Sequence, residues 1–162
     1  MSVTKPLRDE HRELLPHIES LRTTANGIDD HRTGVIPGLD EAVEFLTHHL
    51  LPHAQAEDAA LYPKVEEVLG VPGATATMRR DHVEVAGLTE ELKRLRDSLH
   101  AEPSPAQLRS LRRLLYGLYA IVSLHFAKEE EIYLPILDSG LSAEEAATMF
   151  ESMENYAASQ MP

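Results

Sequence analysis

The sequence predicts an all-α fold, an antiparallel up-down four-helix bundle with an additional short C-terminal helix. Apolar residues recur at helical spacing in four long segments, and short loops join those segments, which favours antiparallel neighbours. The second half of the chain also repeats the pattern of the first at an offset of 71 to 72 residues. A length of 162 residues fits one domain over residues 1–162, with the bundle at about 5–137 and the C-terminal helix at about 142–158.

The first helix is predicted from about Lys5 to Ala25, and the stretch Asn26 to Gly34 lacks periodicity and is expected to be a loop. The second helix is expected to begin near Pro37. Pro52 should remove one backbone hydrogen bond and kink it. The apolar stripe of helix 1 comprises Leu7, His11, Leu14, Leu15, Ile18 and Leu21, and the inward face of helix 2 comprises Leu39, Val43, Leu46, Leu50, His53, Glu57 and Leu61.

The third helix is predicted from about Thr75 to Leu99, with His82 in its apolar stripe. The fourth begins at Ser104, where an N-cap hydroxyl, a proline and a capping-box glutamine follow one another, and it should reach about Leu134. Ser142 opens a second capping box and begins a short fifth helix, which should pack across one end or side of the bundle.

Composition narrows the partners and the kind of site. A net charge of −12 argues against nucleic acid and anionic membranes as partners. The chain has no cysteine, so any metal must be held by nitrogen and oxygen atoms. The N-terminal residues lack the apolar run of a signal peptide, and we expect a cytoplasmic protein that is a monomer or a small homo-oligomer.

One metal-ligand pattern occurs twice, as His53-x-x-x-Glu57 and as His125-x-x-x-Glu129. Residues four apart on a helix lie on one face, so each helix can present an imidazole and a carboxylate side by side. Buried, unpaired carboxylates would cost several kcal/mol each, and cations remove that cost. A buried Glu–His network without metal is the alternative. The candidate metal ligands are His11, His53, Glu57, His82, His125 and Glu129.

Four imidazoles and two carboxylates without sulfur favour iron or manganese over zinc, and two carboxylates can bridge two ions. The ferritin-like di-iron bundle uses Glu-x-x-His instead, a spacing that this sequence does not contain.

The order of His11, His53-x-x-x-Glu57, His82 and His125-x-x-x-Glu129 resembles the hemerythrin-like family of HHE cation-binding domains, over about Leu7 to Leu137. The resemblance implies a four-helix bundle that holds two non-haem iron ions, as Fe²⁺ or Fe³⁺, with an oxo, hydroxo or water bridge. It also implies that Glu57 and Glu129 bridge the ions. His11 and His53 would then serve one iron, and His82 and His125 the other.

One departure from that family bears on function. Oxygen-carrying hemerythrins have a fifth histidine one turn after the third-helix ligand, where this chain has Ala86. Water, Asp58, Glu130 or a tyrosine could fill the vacant position, and His49 is a further candidate on another helix. His17 is expected to be a core or interface residue. Tyr62 and Tyr133 follow the two glutamates near each helix end and could hydrogen-bond near the site or pack, with packing the favoured expectation.

An exchangeable iron position favours chemistry with peroxide or nitric oxide over reversible oxygen carriage. We therefore expect a non-haem di-iron protein that binds or reduces a small ligand, O₂, H₂O₂ or NO, most simply in detoxification of peroxide or NO. Catalase-like or peroxidase-like turnover is one form of this function. The alternative is an iron- or oxygen-responsive sensor without turnover. Iron storage is disfavoured because the ferritin motif is absent.

Overall fold

The computed structural model of the chain describes residues 2–28, 35–99 and 103–160, and these residues form five helices and no strand. Helix α1 spans Lys5–Gly27, α2 spans 35–69, α3 spans Ala76–Asp97, α4 spans 105–140 and α5 spans Ala143–Gln160. The predicted bundle with an extra C-terminal helix is confirmed. The predicted loop at Asn26–Gly34 lies mostly outside the described residues, and α4 and α5 extend beyond the predicted ends.

Three π-helical turns interrupt the long helices. Two lie in α2, at Leu46–Leu50 and Glu57–Leu61, and one lies in α4, at Glu129–Tyr133. A proline follows each turn by two residues, at positions 52, 63 and 135. A proline ring clashes with the carbonyl four residues earlier in an α-helix, and a wider turn relieves that clash. Two of the three turns begin at a candidate metal ligand, Glu57 in α2 and Glu129 in α4.

Contacts across the helix pairs show that neighbours run antiparallel, because residues early in one helix meet residues late in the next. The first helix packs against the second and the fourth, and the third packs against the same two. The contacts that fix these directions are Glu10–His53 and His17–Phe45 for α1 with α2, Asp58–Arg79 and Asp40–Arg96 for α2 with α3, Asp81–Lys128 and Glu91–Arg113 for α3 with α4, and Arg8–Glu130 and Asn26–Tyr116 for α1 with α4.

The apolar core consists of two clusters on either side of a polar layer. One cluster contains Leu14, Leu50, Val85 and Val122, and the other contains Leu7 and residues further along each helix towards the opposite end. Each candidate histidine stands in sequence between a member of one cluster and a member of the other. The candidate ligands therefore form a layer across the middle of the bundle.

Both capping boxes predicted from the sequence are present. At the start of α4 the Ser104 hydroxyl accepts from the Gln107 backbone N–H, and the Gln107 side chain accepts from the Ser104 N–H. Ser142 and Glu145 make the same pair of bonds at the start of α5. Helix α5 then packs along α2, where Met149 and Met153 join the second core cluster. No described helix combines the length and apolar character needed to span a bilayer.

Candidate metal centre

The structure brings all six predicted ligands into one buried layer. Glu57 and Glu129 are fully buried, and the four histidines are at most 8% exposed. Each of the first four helices contributes one histidine, and the π turns of α2 and α4 contribute the glutamates. The nitrogen and carboxylate atoms that face inward form two overlapping groups, one of His11, His53, Glu57 and Glu129 and one of Glu57, His82 and His125.

The first group is centred on Glu57 Oε1. His53 Nε2 lies 2.9 Å from this oxygen, and His11 Nε2 lies 3.7 Å from it. His11 Nε2 is also 3.4 Å from Glu129 Oε2. The inward nitrogens of both histidines, both oxygens of Glu57 and Oε2 of Glu129 have no hydrogen-bond partner. Buried polar atoms are nearly always paired, so this concentration of unpaired donor atoms fits the ligand set of a metal site.

The second group lies next to the hydroxyl of Tyr62. His82 Nε2 lies 3.4 Å from Glu57 Oε2, and 3.0 Å from His125 Nε2. The Tyr62 hydroxyl lies 3.0 Å from His125 Nε2 and 3.3 Å from His82 Nε2, and it donates a 2.7 Å hydrogen bond to Glu129 Oε1. The expectation that Tyr62 only packs is therefore wrong, because its fully buried hydroxyl is part of the site.

Four outer carboxylates hold the other nitrogen of each histidine. His11 Nδ1 lies 2.7 Å from Glu130, His53 Nδ1 lies 2.9 Å from Glu10, and both His82 Nδ1 and His125 Nδ1 lie 3.0 Å from aspartates. Those aspartates are Asp58 for His82 and Asp81 for His125. A carboxylate that accepts from Nδ1–H leaves the Nε2 lone pair pointing inward and makes the ring a better metal ligand.

The outer carboxylates obey the same sequence repeat as the ligands. Glu10 corresponds to Asp81 at an offset of 71, and Asp58 corresponds to Glu130 at an offset of 72. Asp58 and Glu130 were candidates for an extra iron ligand, but the structure places them on the outer nitrogens of His82 and His11. His49, a further candidate, is exposed and lies outside the donor groups, with its ring centroid 6.4 Å from that of Phe45. His17 is also exposed, which corrects the expectation of a core position for it, and its ring lies nearly parallel to that of Phe45 with 5.1 Å between the centroids.

Electrostatics in the layer favours cations. Burial disfavours the charged form of His53, but Glu57 and Glu10 outweigh it and raise its pKa well above the ordinary value. Burial likewise opposes ionisation of Glu57, but His53 and the other facing imidazoles lower its pKa well below the usual range. Burial lowers the pKa of His82, but the carboxylates of Asp58 and Glu57, which accept from the charged ring, outweigh burial and raise this pKa to about 9. Without metal, protons on imidazoles neutralise the buried carboxylates.

The donor set fits metal ions of the kind that imidazole and carboxylate bind. Ligand atoms bonded about 2.1 Å from one ion at right angles lie about 3 Å apart. The separations between inward donor atoms in the two groups run from 2.9 to 3.7 Å, close to that spacing. His82 Nε2 and His125 Nε2 also face one another at 3.0 Å, while each Nδ1 lies 3.0 Å from an aspartate oxygen, and a cation between the two inward nitrogens fits this arrangement.

A small apolar cavity adjoins the layer. Its volume is about 10 Å³, and its walls include Val85, Val122 and Phe126 together with inner faces of the second donor group. A cavity of this size holds about one water molecule. This space therefore fits a small ligand beside the second donor group without rearrangement of the core.

Comparison with known proteins gives the family context. A family model described as the hemerythrin HHE cation-binding domain matches residues 2–156. An iron–sulfur cluster repair protein, YtfE, of Cronobacter sakazakii is 26% identical over 116 residues, which are 70% of this chain and 52% of that protein. YtfE of Escherichia coli O81 is 24% identical over 132 residues, 78% of this chain and 59% of that protein. The chain spans between half and three fifths of these relatives' length, and no solved structure matches it significantly.

Proposed function

Because this chain belongs to the hemerythrin HHE cation-binding family, we propose that it is a non-haem di-iron protein that binds or reduces a small ligand, O₂, H₂O₂ or NO, most simply in detoxification of peroxide or nitric oxide. The observation that carries the proposal is the buried layer itself, in which inward donor atoms without hydrogen-bond partners converge beside a cavity of about 10 Å³. The cytoplasmic location predicted from the sequence remains part of this proposal.

The residues divide into two metal positions. His11 and His53 would hold one iron, His82 and His125 the other, and Glu57 and Glu129 face both positions. When bound, the iron pair would supply the electron exchange that no side chain of this site can supply. The protein would contribute position and polarity, because the outer carboxylates fix each imidazole with Nε2 inward.

Tyr62 would take the place of the fifth histidine that the sequence lacks at Ala86. Burial and the charges of Glu57 and Glu129 raise the pKa of Tyr62 far above its ordinary value in the absence of metal. The hydroxyl then keeps its proton and donates a hydrogen bond to Glu129 Oε1. Beside a bound cation the pKa of the Tyr62 hydroxyl would fall instead of rising. The phenol oxygen would then be a candidate ligand at the second position.

The small cavity supports selection by size. Its apolar walls favour diatomic ligands or peroxide, whereas an organic substrate would have to displace packed core residues to enter from this side. The relatives are named iron–sulfur cluster repair proteins, and that name is consistent with iron chemistry at the metal layer of this chain.

The alternative function is an iron- or oxygen-responsive sensor. A specific observation favours keeping it, since α5 packs on the π turn that begins at Glu57 and borders a groove of about 430 Å³ that reaches Glu10 and His53. Loss of metal from the layer would therefore change the contacts between α5 and the turn that begins at Glu57. In this function the response would be a change in the packing of α5, without turnover.

The first experiment measures iron content and the visible spectrum of protein purified from iron-supplemented cells, and then O₂ release after addition of H₂O₂ and consumption of NO. We expect about two iron ions per chain. His11→Ala should lose iron, whereas His17→Ala, on the exposed side of the same helix, should retain it.

Prompt disproportionation of two H₂O₂ into two H₂O and O₂, or rapid NO loss, would support the enzyme. Bound iron with neither reaction would favour the sensor. Protein that binds no iron under these conditions would refute both.

A further inference from the structure

The π turns at the two glutamates each leave a backbone carbonyl without a partner in its own helix. In the turn of α2, the Tyr62 N–H donates to the Glu57 carbonyl, five residues back. The next carbonyl, that of Asp58, would accept from residue 63 in the same pattern, but residue 63 is a proline and has no N–H. In α4 the Leu134 N–H donates to the Glu129 carbonyl.

The same reasoning applies to the turn of α4. The next carbonyl there belongs to Glu130, and its expected donor is Pro135. A buried or half-buried carbonyl without a donor costs free energy, and proteins satisfy such groups from side chains. Both unpaired carbonyls belong to the residue that follows a candidate bridging glutamate.

An arginine of a neighbouring helix serves each of these carbonyls. Arg79 Nη1 of α3 donates to the Asp58 carbonyl at 2.8 Å and lies 3.6 Å from the Asp58 carboxylate. Its guanidinium also lies over the ring of Tyr62, 5.4 Å from the ring centroid. One side chain therefore touches the turn, an outer carboxylate and the tyrosine of the site.

Arg8 of α1 does the same in the other half of the molecule. Its Nη1 donates to the Glu130 carbonyl at 3.4 Å and pairs with the Glu130 carboxylate. Arg8 and Arg79 correspond at the repeat offset of 71, and each stands three residues before a candidate ligand, His11 or His82. Two independent halves of the chain thus use the same device.

We propose that Arg8 and Arg79 are positioning residues that hold the two π turns open and thereby set the direction of Glu57 and Glu129 into the metal layer. Each arginine supplies the donor that proline removes from the turn, and it neutralises the outer carboxylate that fixes the histidine of its own helix. The role in metal binding rests on the proposed function. The role in the turn does not require metal.

The test is a crossed pair of substitutions, Arg79→Met and Arg8→Met, each with an adjacent exposed control. Arg80→Met and Arg12→Met are the controls, because both side chains are 66% exposed and, among residues 2–28, 35–99 and 103–160, pair only with acidic residues of their own helices. Peptide-resolved amide hydrogen exchange on metal-free protein is the first measurement.

We expect Arg79→Met to speed exchange about fivefold in residues 57–62 and to leave residues 129–134 unchanged after correction for global stability. Arg8→Met should do the reverse. Neither control should change either turn. Equal acceleration of both turns by each arginine variant would show a general loss of stability and would overturn the proposal.

The second measurement is Co²⁺ titration followed by visible absorption. Arg79→Met should weaken Co²⁺ binding about tenfold relative to Arg80→Met, as loss of an outer partner does at other metal sites. Arg79→Lys should recover part of this loss, because an ammonium can donate to the carbonyl but cannot also reach the carboxylate as a planar fork.

If Arg79→Met does not fold, Arg79→Lys carries the comparison with Arg80→Met. Unchanged Co²⁺ affinity with unchanged exchange would overturn the inference. Wild-type protein that binds neither Co²⁺ nor iron would instead refute the proposed function, and the exchange pattern alone would then decide the role of the arginines in the turns.

Discussion

Tyr62→Phe removes one oxygen atom from the centre of the bundle and preserves the ring. The hydroxyl donates a 2.7 Å hydrogen bond to the fully buried carboxylate of Glu129, and hydrogen bonds to charged groups contribute about 1.5–3 kcal/mol. For a chain of this size, each kcal/mol shifts the melting temperature by about 2–4 °C. We therefore expect metal-free Tyr62→Phe to melt about 3–12 °C below the wild type.

The matched control is Tyr133→Phe, because Tyr133 packs against the same core cluster as Tyr62 and makes no hydrogen bond within the described part of the chain. It should change stability by no more than about 0.5 kcal/mol. Urea unfolding of the metal-free proteins measures both values. The iron-loaded wild type should also show a phenolate-to-Fe³⁺ absorption band that Tyr62→Phe lacks and Tyr133→Phe retains. Equal stability of the two variants, together with identical visible spectra, would refute the assignment of Tyr62 to the site.

Three further predictions follow from other parts of the structure. The pKa of His82 is raised from 6.5 to about 9 in metal-free protein. The stability that its charged form contributes is therefore fully present below pH 6.5 and is lost as the pH rises through about 9. The change in the free energy of unfolding is of the order of 3 kcal/mol. Co²⁺ affinity should rise over the same pH interval, because the metal binds the neutral ring. The measurement is the melting temperature from about pH 6 to 9.5, with and without Co²⁺. If the melting temperatures with and without Co²⁺ changed with pH in the same way, the prediction would be wrong. His53→Ala should weaken Co²⁺ binding at least tenfold, whereas His49→Ala on the exposed face of α2 should leave it within twofold; equal losses in the two titrations would place the site elsewhere. Gly140→Ala should destabilise the protein by about 1–3 kcal/mol, because an added Cβ would lie 2.3 Å from Val68 Cγ1. Urea unfolding measures this change. An unchanged free energy of unfolding would show that the ends of α2 and α4 pack more loosely than described.

Much of the candidate site could be predicted because a helix encodes its inner face locally. Apolar spacing and the repeated His-x-x-x-Glu pattern placed His11, His53, His82 and His125 on inward faces of different helices, and the structure brings them together. The ligand assignment itself stays a prediction until metal is measured. The fold followed from the same periodicity and from two capping boxes, which mark helix starts through bonds within four residues.

The role of Tyr62 could not be predicted in this way. Its counterpart in the repeat is Leu134, so the repetition that located the histidines argued against a polar function at this position. The outer carboxylates gave a weaker signal that was present but not used, since Glu10 and Asp81 each stand directly before a ligand histidine at equivalent positions of the repeat. Each of them bonds a histidine of another helix, and that choice depends on how the helices are aligned.

The sequence by itself determined the bundle, the inward set of four histidines and two glutamates, and the exclusion of sulfur ligands, because each of these depends on composition or on spacing within one helix. The tertiary structure decided which atoms meet. The π turns shift the register of α2 and α4 at Glu57 and Glu129, and that shift brings the Tyr62 hydroxyl among the ligand nitrogens and the guanidinium groups of Arg8 and Arg79 onto carbonyls that prolines leave unpaired. Contacts between helices depend on such small displacements along the axis, and no pattern confined to one helix records them.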